Sequence, residues 1–162
     1  MLDTLSPLEQ YSEERQQLLN NYKLPVVTLK LNLPAELQHH SYANTLFEAA
    51  MATFDHQLAA NEIQLVDKRV SRDNRHQAMF STHFHSVTLL KKLMIEIEST
   101  HPWGSLFDFD VISAQGKTLS RRSAYMEPRS CLVCDNAAQK CAGIRRHSVQ
   151  EIEQAVKNLM GL

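Results

Sequence analysis

The segment His101–Arg122, HPWGSLFDFDVISAQGKTLSRR, sets two acids, Asp108 and Asp110, into an otherwise apolar run from Leu106 to Ile112. Aromatic and β-branched residues, with Gly104 and Gly116 at the borders, read as a β-strand. Side chains alternate across a strand, so the two acids share one face while Phe107, Phe109 and Val111 share the other. Two carboxylates spaced about 7 Å along one strand face repel each other. They are costly to bury unless a cation or water joins them.

Working outward, Leu93, Ile95 and Ile97 alternate with Met94, Glu96 and Glu98, which predicts a half-buried strand after one or two helical turns at Ser86–Lys91. The short loop Ser99–Gly104 would join it to the acidic strand as an antiparallel hairpin. Gln115-Gly116 turns the chain again, and Lys117–Arg121 would pair back. Ser6-Pro7-Leu8-Glu9 forms a capping box with proline at the first helical position, opening a helix with a stripe of Leu8, Tyr11, Leu18 and Tyr22 that stops before Pro25. Val26–Leu31 reads as a strand. Pro34 opens a second helix that buries Leu46, Phe47, Ala50, Met51, Phe54 and Leu58. Ile63–Val70 and Gln77–Phe84 read as strands around the polar loop SRDNRH. Ser148-Val149-Gln150-Glu151 repeats the capping box before a last helix through Val149, Ile152, Val156 and Leu159, ended by Gly161. The expected fold is α+β: one domain over residues 1–162, with a mixed or largely antiparallel sheet and helices packed on it.

The chain has 162 residues, 43% of them hydrophobic, and can bury a substantial core. Its formal charge of −1, with thinly spread lysine and arginine, argues against a large nucleic-acid footprint. No apolar run approaches the ~20 residues of a membrane span. Acids at Asp3 and Glu9 with no apolar core behind a basic start argue against a secretory signal. Three cysteines, an odd number, suit a reducing cytoplasm better than a disulfide framework.

Three groups of residues carry candidate chemistry. Asp108 and Asp110 are either ordinary acids on a solvated strand face or ligands holding Mg²⁺ against substrate phosphates, since Mg²⁺ takes hard oxygen donors and commonly only one or two from protein. Glu96 or Glu98 would supply a third carboxylate, the hairpin register deciding which. Arg121, Arg122 and Arg129 are either a solvated basic edge or a triphosphate clamp. Metal-holding acids beside phosphate-holding arginines are the equipment of phosphoryl or nucleotidyl transfer. Cys131, Cys134, Cys141 and His147 follow the spacing C-x2-C-x6-C-x5-H. They form either a structural zinc site or, for Cys134 and Cys141 seven apart on a helix, a buried apolar face. The other histidines, including His39-His40 and His83/His85, read as surface or packing residues. Four glycines leave no phosphate-binding glycine loop.

The stretches IEIESTHPWGSLFDFDVISAQGKTLSRR and EPRSCLVCDNAAQKCAGIRRHSVQEI resemble the apo-citrate lyase phosphoribosyl-dephospho-CoA transferases, also called holo-citrate lyase synthases. The shared order is E…HPxG-x-L-x-D-x-D-V, then LSRR, then R-x-C-L-x-C-x6-C-x5-H, across roughly residues 91–155. EERQ at Glu13–Gln16 and a strand from near Pro25 agree more loosely. The resemblance implies transfer of phosphoribosyl-dephospho-CoA from its triphosphate precursor, triphosphoribosyl-dephospho-CoA, to a serine of the acyl carrier subunit of citrate lyase, with release of pyrophosphate. It implies a nucleotidyltransferase-like active strand. Asp108 and Asp110 would hold Mg²⁺, with Glu98 or Glu96 as the added acid; Arg121, Arg122 and Lys91 would neutralise the triphosphate. The chain departs from the family at four positions. Ala35 and Gln38 replace the glycine and lysine of N-x-P-G-P-x-K, Ala78 falls in an RHQA segment lacking the family's glycine and acid, and Ser105 replaces an arginine. Those departures motivate an alternative, a non-catalytic carrier-binding protein of the same fold.

Overall fold

The computed structural model describes residues 5–72 and 75–162. Asp3, and Asp73 and Asn74 of the expected polar loop, lie outside them. The described residues form an α+β fold in which five strands make one sheet of order β2-β3-β1-β4-β5, every neighbouring pair antiparallel. The strands are β1 (Val26–Leu31), β2 (Gln64–Ser71), β3 (Gln77–His83), β4 (Phe107–Ile112) and β5 (Thr118–Leu119). Among the described residues the α-helices are α1 (Pro7–Tyr22), α2 (Ser41–Ala60), α3 (Val87–Thr100), α4 (Ala138–Gly143) and α5 (Val149–Met160).

Both capping boxes form. Ser6 accepts from the Glu9 N–H while Glu9 reaches back to Ser6, and Ser148 and Glu151 do the same at α5. Gly161 ends α5 in the left-handed region, at φ 76°. Leu8 of the expected α1 stripe is 71% exposed, and Leu19 is buried instead.

Two layers of helix sandwich the sheet. Leu46, Phe47, Ala50, Met51, Phe54 and Leu58 of α2 pack with Leu90, Met94 and Ile97 of α3 against Val27, Leu29, Phe80, Phe107, Phe109 and Val111. On the opposite face Tyr11, Leu18 and Leu19 of α1 cover Val26, Met79 and Ile112. Covered on both sides, β1 is buried at every position except Lys30.

Three expectations change. Pro34 leads only into a 3-10 turn at Ala35–Leu37, and α2 begins at Ser41 after His40, which offers no side-chain cap. Residues 93–97 are not a strand: Val87–Thr100 is one helix, capped by Ser86, whose hydroxyl accepts from the Leu89 N–H. Two helical stripes account for its burial, Leu90/Leu93/Met94/Ile97 and Lys91/Ile95/Glu98. The second contains two charged residues, which by type belong in solvent, and that masked the 3.6-residue period. The expected hairpin between residues 93–97 and β4 is therefore a helix-to-strand connection. Its tight point is Gly104, where a Cβ would collide with the Glu98 carbonyl oxygen.

Candidate functional site

The strand register builds the acidic face. Asp108 lies opposite Lys30 and Asp110 opposite Thr28 on β1, and directly opposed residues share a sheet face. The Asp108 and Asp110 side chains are 43% and 45% exposed, whereas Phe107, Phe109 and Val111 on the other face are fully buried. Tyr11 of α1 joins them: its hydroxyl hydrogen-bonds to Thr28, and its ring carries the Lys30 ammonium 4.1 Å from the centroid. Burial raises the Tyr11 pKa, with the charges of Asp110 and Asp108 adding to the rise against Thr28 and Arg15. Partial desolvation pushes the Asp108 carboxyl above its ordinary range, the Asp110 charge adding to it and Arg129 opposing.

The outer edge of β4 is held by charged side chains. β5 pairs only with Val111 and Ile112, so the earlier backbone groups need other partners. Glu98 Oε2 accepts from the Phe109 N–H at 2.8 Å, and Lys91 Nζ donates to the Phe109 carbonyl at 2.9 Å. Arg129 donates to the Ser105 and Phe107 carbonyls, both at 2.9 Å. The Glu98 side chain, 1% exposed, is flanked by Arg121 at 2.5 Å and Arg129 at 2.9 Å. Seven residues apart on α3, Lys91 and Glu98 fall on one stripe, and both reach the same β4 peptide edge.

This geometry brings together several of the expected site residues and separates others. Glu96 and Glu98 do not share a face, being two apart on a helix: Glu96 is exposed and accepts from Gln57 at 3.4 Å. Glu98 does reach β4, but its oxygens are already occupied by a backbone N–H and two guanidinium groups. Lys91, 4% exposed, stands 3.7 Å from Asp110 Oδ1, and Arg129 stands 3.9 Å from Asp108 Oδ1. Both separations are too long for hydrogen bonds. The aspartates feel positive charge but accept no hydrogen bond among the described residues, and two carboxylates are the hard oxygen donors that a cation such as Mg²⁺ takes. Arg122 is exposed on a 3-10 turn. Lys30, Tyr11 and Thr28 were missed by sequence reasoning; the one usable signal was lysine breaking the apolar run VVTLKL.

The second cluster closes as its spacing allows. The ligand atoms of Cys131, Cys134, Cys141 and His147 all lie within 4.8 Å of one another. Cys131 and Cys134 sit on a tight loop in which the Cys131 N–H bonds to the Asn136 carbonyl and the Val133 N–H points at Cys131 Sγ. Cys141 arrives on α4, 3.4 Å from Cys134 Sγ. His147 Nε2 is buried with no hydrogen-bond partner among the described residues, while Nδ1 faces Glu151 Oε2 at 3.4 Å. An orphaned imidazole nitrogen beside three thiols is what a tetrahedral ion would satisfy, and a carboxylate behind the ring is the usual outer partner. The Asn136 N–H lowers the Cys134 thiol to about 6, favouring the thiolate a metal needs, while burial and the neighbouring thiols raise Cys141 to about 11.

Hollows flank both sites. One of about 860 Å³ lies between α5 and the Glu127–Val133 loop, with Glu98, Arg121 and Arg129 on its wall. It does not include Asp108 or Asp110. A hollow of about 370 Å³ is lined by Lys30, Arg75 and His76 together with Ala35 and Gln38, two of the positions that depart from the family pattern. No described helix is long and apolar enough to cross a membrane.

Comparison with known proteins agrees with the resemblance. Residues 2–161 match the family model described as apo-citrate lyase phosphoribosyl-dephospho-CoA transferase. A Vibrio cholerae relative named "Probable apo-citrate lyase phosphoribosyl-dephospho-CoA transferase" is 29% identical over 147 residues, covering 90% of this chain and 83% of its own. "Protein CitXG" of Haemophilus influenzae is 30% identical over 157 residues, 96% of this chain and 33% of that one. An Escherichia coli apo-citrate lyase phosphoribosyl-dephospho-CoA transferase is 39% identical over 71 residues, covering 44% of this chain and 39% of its own. With a match over nearly its whole length, the chain belongs to the apo-citrate lyase phosphoribosyl-dephospho-CoA transferase family.

Proposed function

We propose that this chain, as a single domain over residues 1–162, transfers the phosphoribosyl-dephospho-CoA group from triphosphoribosyl-dephospho-CoA to a serine of the citrate lyase acyl carrier protein. The observation that carries the reading is the pair of half-exposed carboxylates, Asp108 and Asp110, on one face of a rigid central strand. Asp108 and Asp110 would hold Mg²⁺, which when bound supplies charge stabilisation for the departing pyrophosphate. The reaction is of nucleotidyltransferase type: the carrier serine oxygen bonds to the α-phosphorus, the bond to pyrophosphate breaks, and the serine proton passes to water. The nucleophile belongs to the partner protein, so this chain's part is positioning and electrostatics. Exposed Arg122 is available to phosphate oxygens. Lys91, Arg121 and Arg129 supply positive charge at the strand edge, and Glu98 acts as the brace that fixes them. The reducing cytoplasm, which suits three free thiols, is the proposed compartment.

Purified protein with Mg²⁺ should label the carrier subunit from triphosphoribosyl-dephospho-CoA, and Asp108→Asn or Asp110→Asn should abolish labelling with the fold intact. Equal labelling by both variants would remove the two acids from the mechanism. The departures at Ala35, Gln38, Ala78 and Ser105 favour one second reading, a carrier-binding protein without turnover. Carrier binding with no pyrophosphate release across several divalent metals would select it.

Zinc is the ion proposed for Cys131, Cys134, Cys141 and His147, in a structural role, since these four donors would fill every position of a tetrahedral ion and leave none for substrate. Elemental analysis of protein purified without chelator should find about one zinc per chain. A metal-free, equally stable protein would refute the assignment.

A further inference from the structure

The acidic face holds a cation that no described carboxylate engages. We infer that Lys30 binds the polyphosphate end of the donor, working beside the aspartates from the neighbouring strand. This rests on the proposed transfer reaction and adds to it a residue that neither motif spacing nor the family pattern singled out.

Three cations close to the pair have their shortest contacts elsewhere. Lys91 is buried against the Phe109 carbonyl, and Arg121 and Arg129 are drawn onto Glu98. Lys30 occupies the one incompletely buried position of β1, directly across from Asp108. Among the described residues, no carboxylate oxygen lies within the 4.0 Å of an ion pair from its ammonium. The ammonium instead rests 4.1 Å from the centroid of the Tyr11 ring. An aromatic face holds a cation in place without cancelling its charge. Tyr11 is itself fixed by burial and by its bond to Thr28, the residue opposite Asp110.

The space around it suits a polyanion. Lys30 shares the 370 Å³ hollow with Arg75 and His76 and with no acid, while Arg75 and Tyr11 share one of about 230 Å³ with Glu14; Asp108 and Asp110 lie outside both. A compact ammonium binds phosphate oxygens as a point charge and needs no fixed fork geometry. With the carboxylates as a seat for a divalent ion and Lys30 one strand away, the face offers the alternating charges that a metal-bound polyphosphate requires. Among the described residues the Tyr11 ring is the contact that the Lys30 ammonium makes, and it leaves the charge uncompensated.

Calorimetric titration with Mg²⁺ and inorganic tripolyphosphate at low ionic strength tests this without relying on turnover. Lys30→Met should weaken binding roughly 10- to 100-fold, the range of a charge-assisted hydrogen bond, and Lys30→Arg should recover most of it. Melting curves of both variants establish that they fold. With triphosphoribosyl-dephospho-CoA as substrate, Lys30→Met should raise KM more than it lowers kcat. Binding by Lys30→Met within twofold of wild type overturns the inference, as does Lys30→Arg binding no better than Lys30→Met. If Asp108→Asn loses Mg²⁺-dependent binding while Lys30→Met does not, the reaction assignment stands and Lys30 alone is excluded. Failure of wild type to bind overturns both.

Discussion

Glu98→Gln isolates the brace behind the acidic strand. Glutamine keeps a carbonyl oxygen for the Phe109 N–H and Arg129, which share Oε2, but removes the charge facing both arginines and turns its amide NH2 toward Arg121 with like polarity. Removing one partner of a buried ion pair costs about 3–5 kcal/mol, most of it from stranding the other charge. Here the stranded guanidiniums are 20% and 19% exposed, so water relieves part of the cost; the low end, about 3 kcal/mol, applies. For a chain of this size each kcal/mol moves Tm by about 2–4 °C, giving a drop of about 6–12 °C. Thermal and urea melts at pH 7 read the loss. Hydrogen exchange at the Phe109 amide localises it, with faster exchange expected in Glu98→Ala. Combining Glu98→Gln with Arg121→Met should cost less than the sum of the two, because the double variant strands fewer charges. Glu98→Gln melting within about 2 °C of wild type, well below the range expected for a broken buried pair, would refute the brace. An unchanged melt with lost Mg²⁺ binding would instead make Glu98 a metal ligand.

Other outcomes follow from the same geometry. Gly104→Ala places a methyl against the Glu98 and Ile97 carbonyls, contacts that backbone cannot yield cheaply; a loss of about 3 kcal/mol or more is expected in urea melts. Chelation, or Cys131→Ser, should lower Tm and release zinc together, and readdition of zinc should restore the chelated protein. The raised pKa of Asp108 means that the fold favours its protonated form, so this carboxyl's contribution is fully present below the ordinary value of 3.8 and is lost as pH rises through the raised one. Asp108→Asn should therefore melt above wild type at pH 7 and lose that advantage in acid. Because Mg²⁺ requires the carboxylate, its affinity should start to fall on acidification at a pH above 3.8.

Local chemistry determined several parts of this protein from the sequence alone. Ser6 and Ser148 mark helix starts because a hydroxyl and a glutamate three residues on satisfy neighbouring backbone N–H groups wherever the segment lies. Asp108 and Asp110 share a face of β4 because strand alternation does not depend on neighbours. The thiol spacing likewise foretold a cluster, since a two-residue gap closes locally, although only the packing of α4 and the turn before α5 brings Cys141 and His147 to it. The tertiary structure decided the rest. Residues 93–97 alternate as a strand would, yet they lie in a helix because burial of Lys91 and Glu98 is repaid at the open edge of β4, a partner 11 to 18 residues away. Lys30 stood out in the sequence as a lysine in the run VVTLKL, but its place beside Asp108 came only with strand pairing. Charged side chains take their meaning from what faces them, and what faces them is fixed by long-range packing rather than by sequence neighbours.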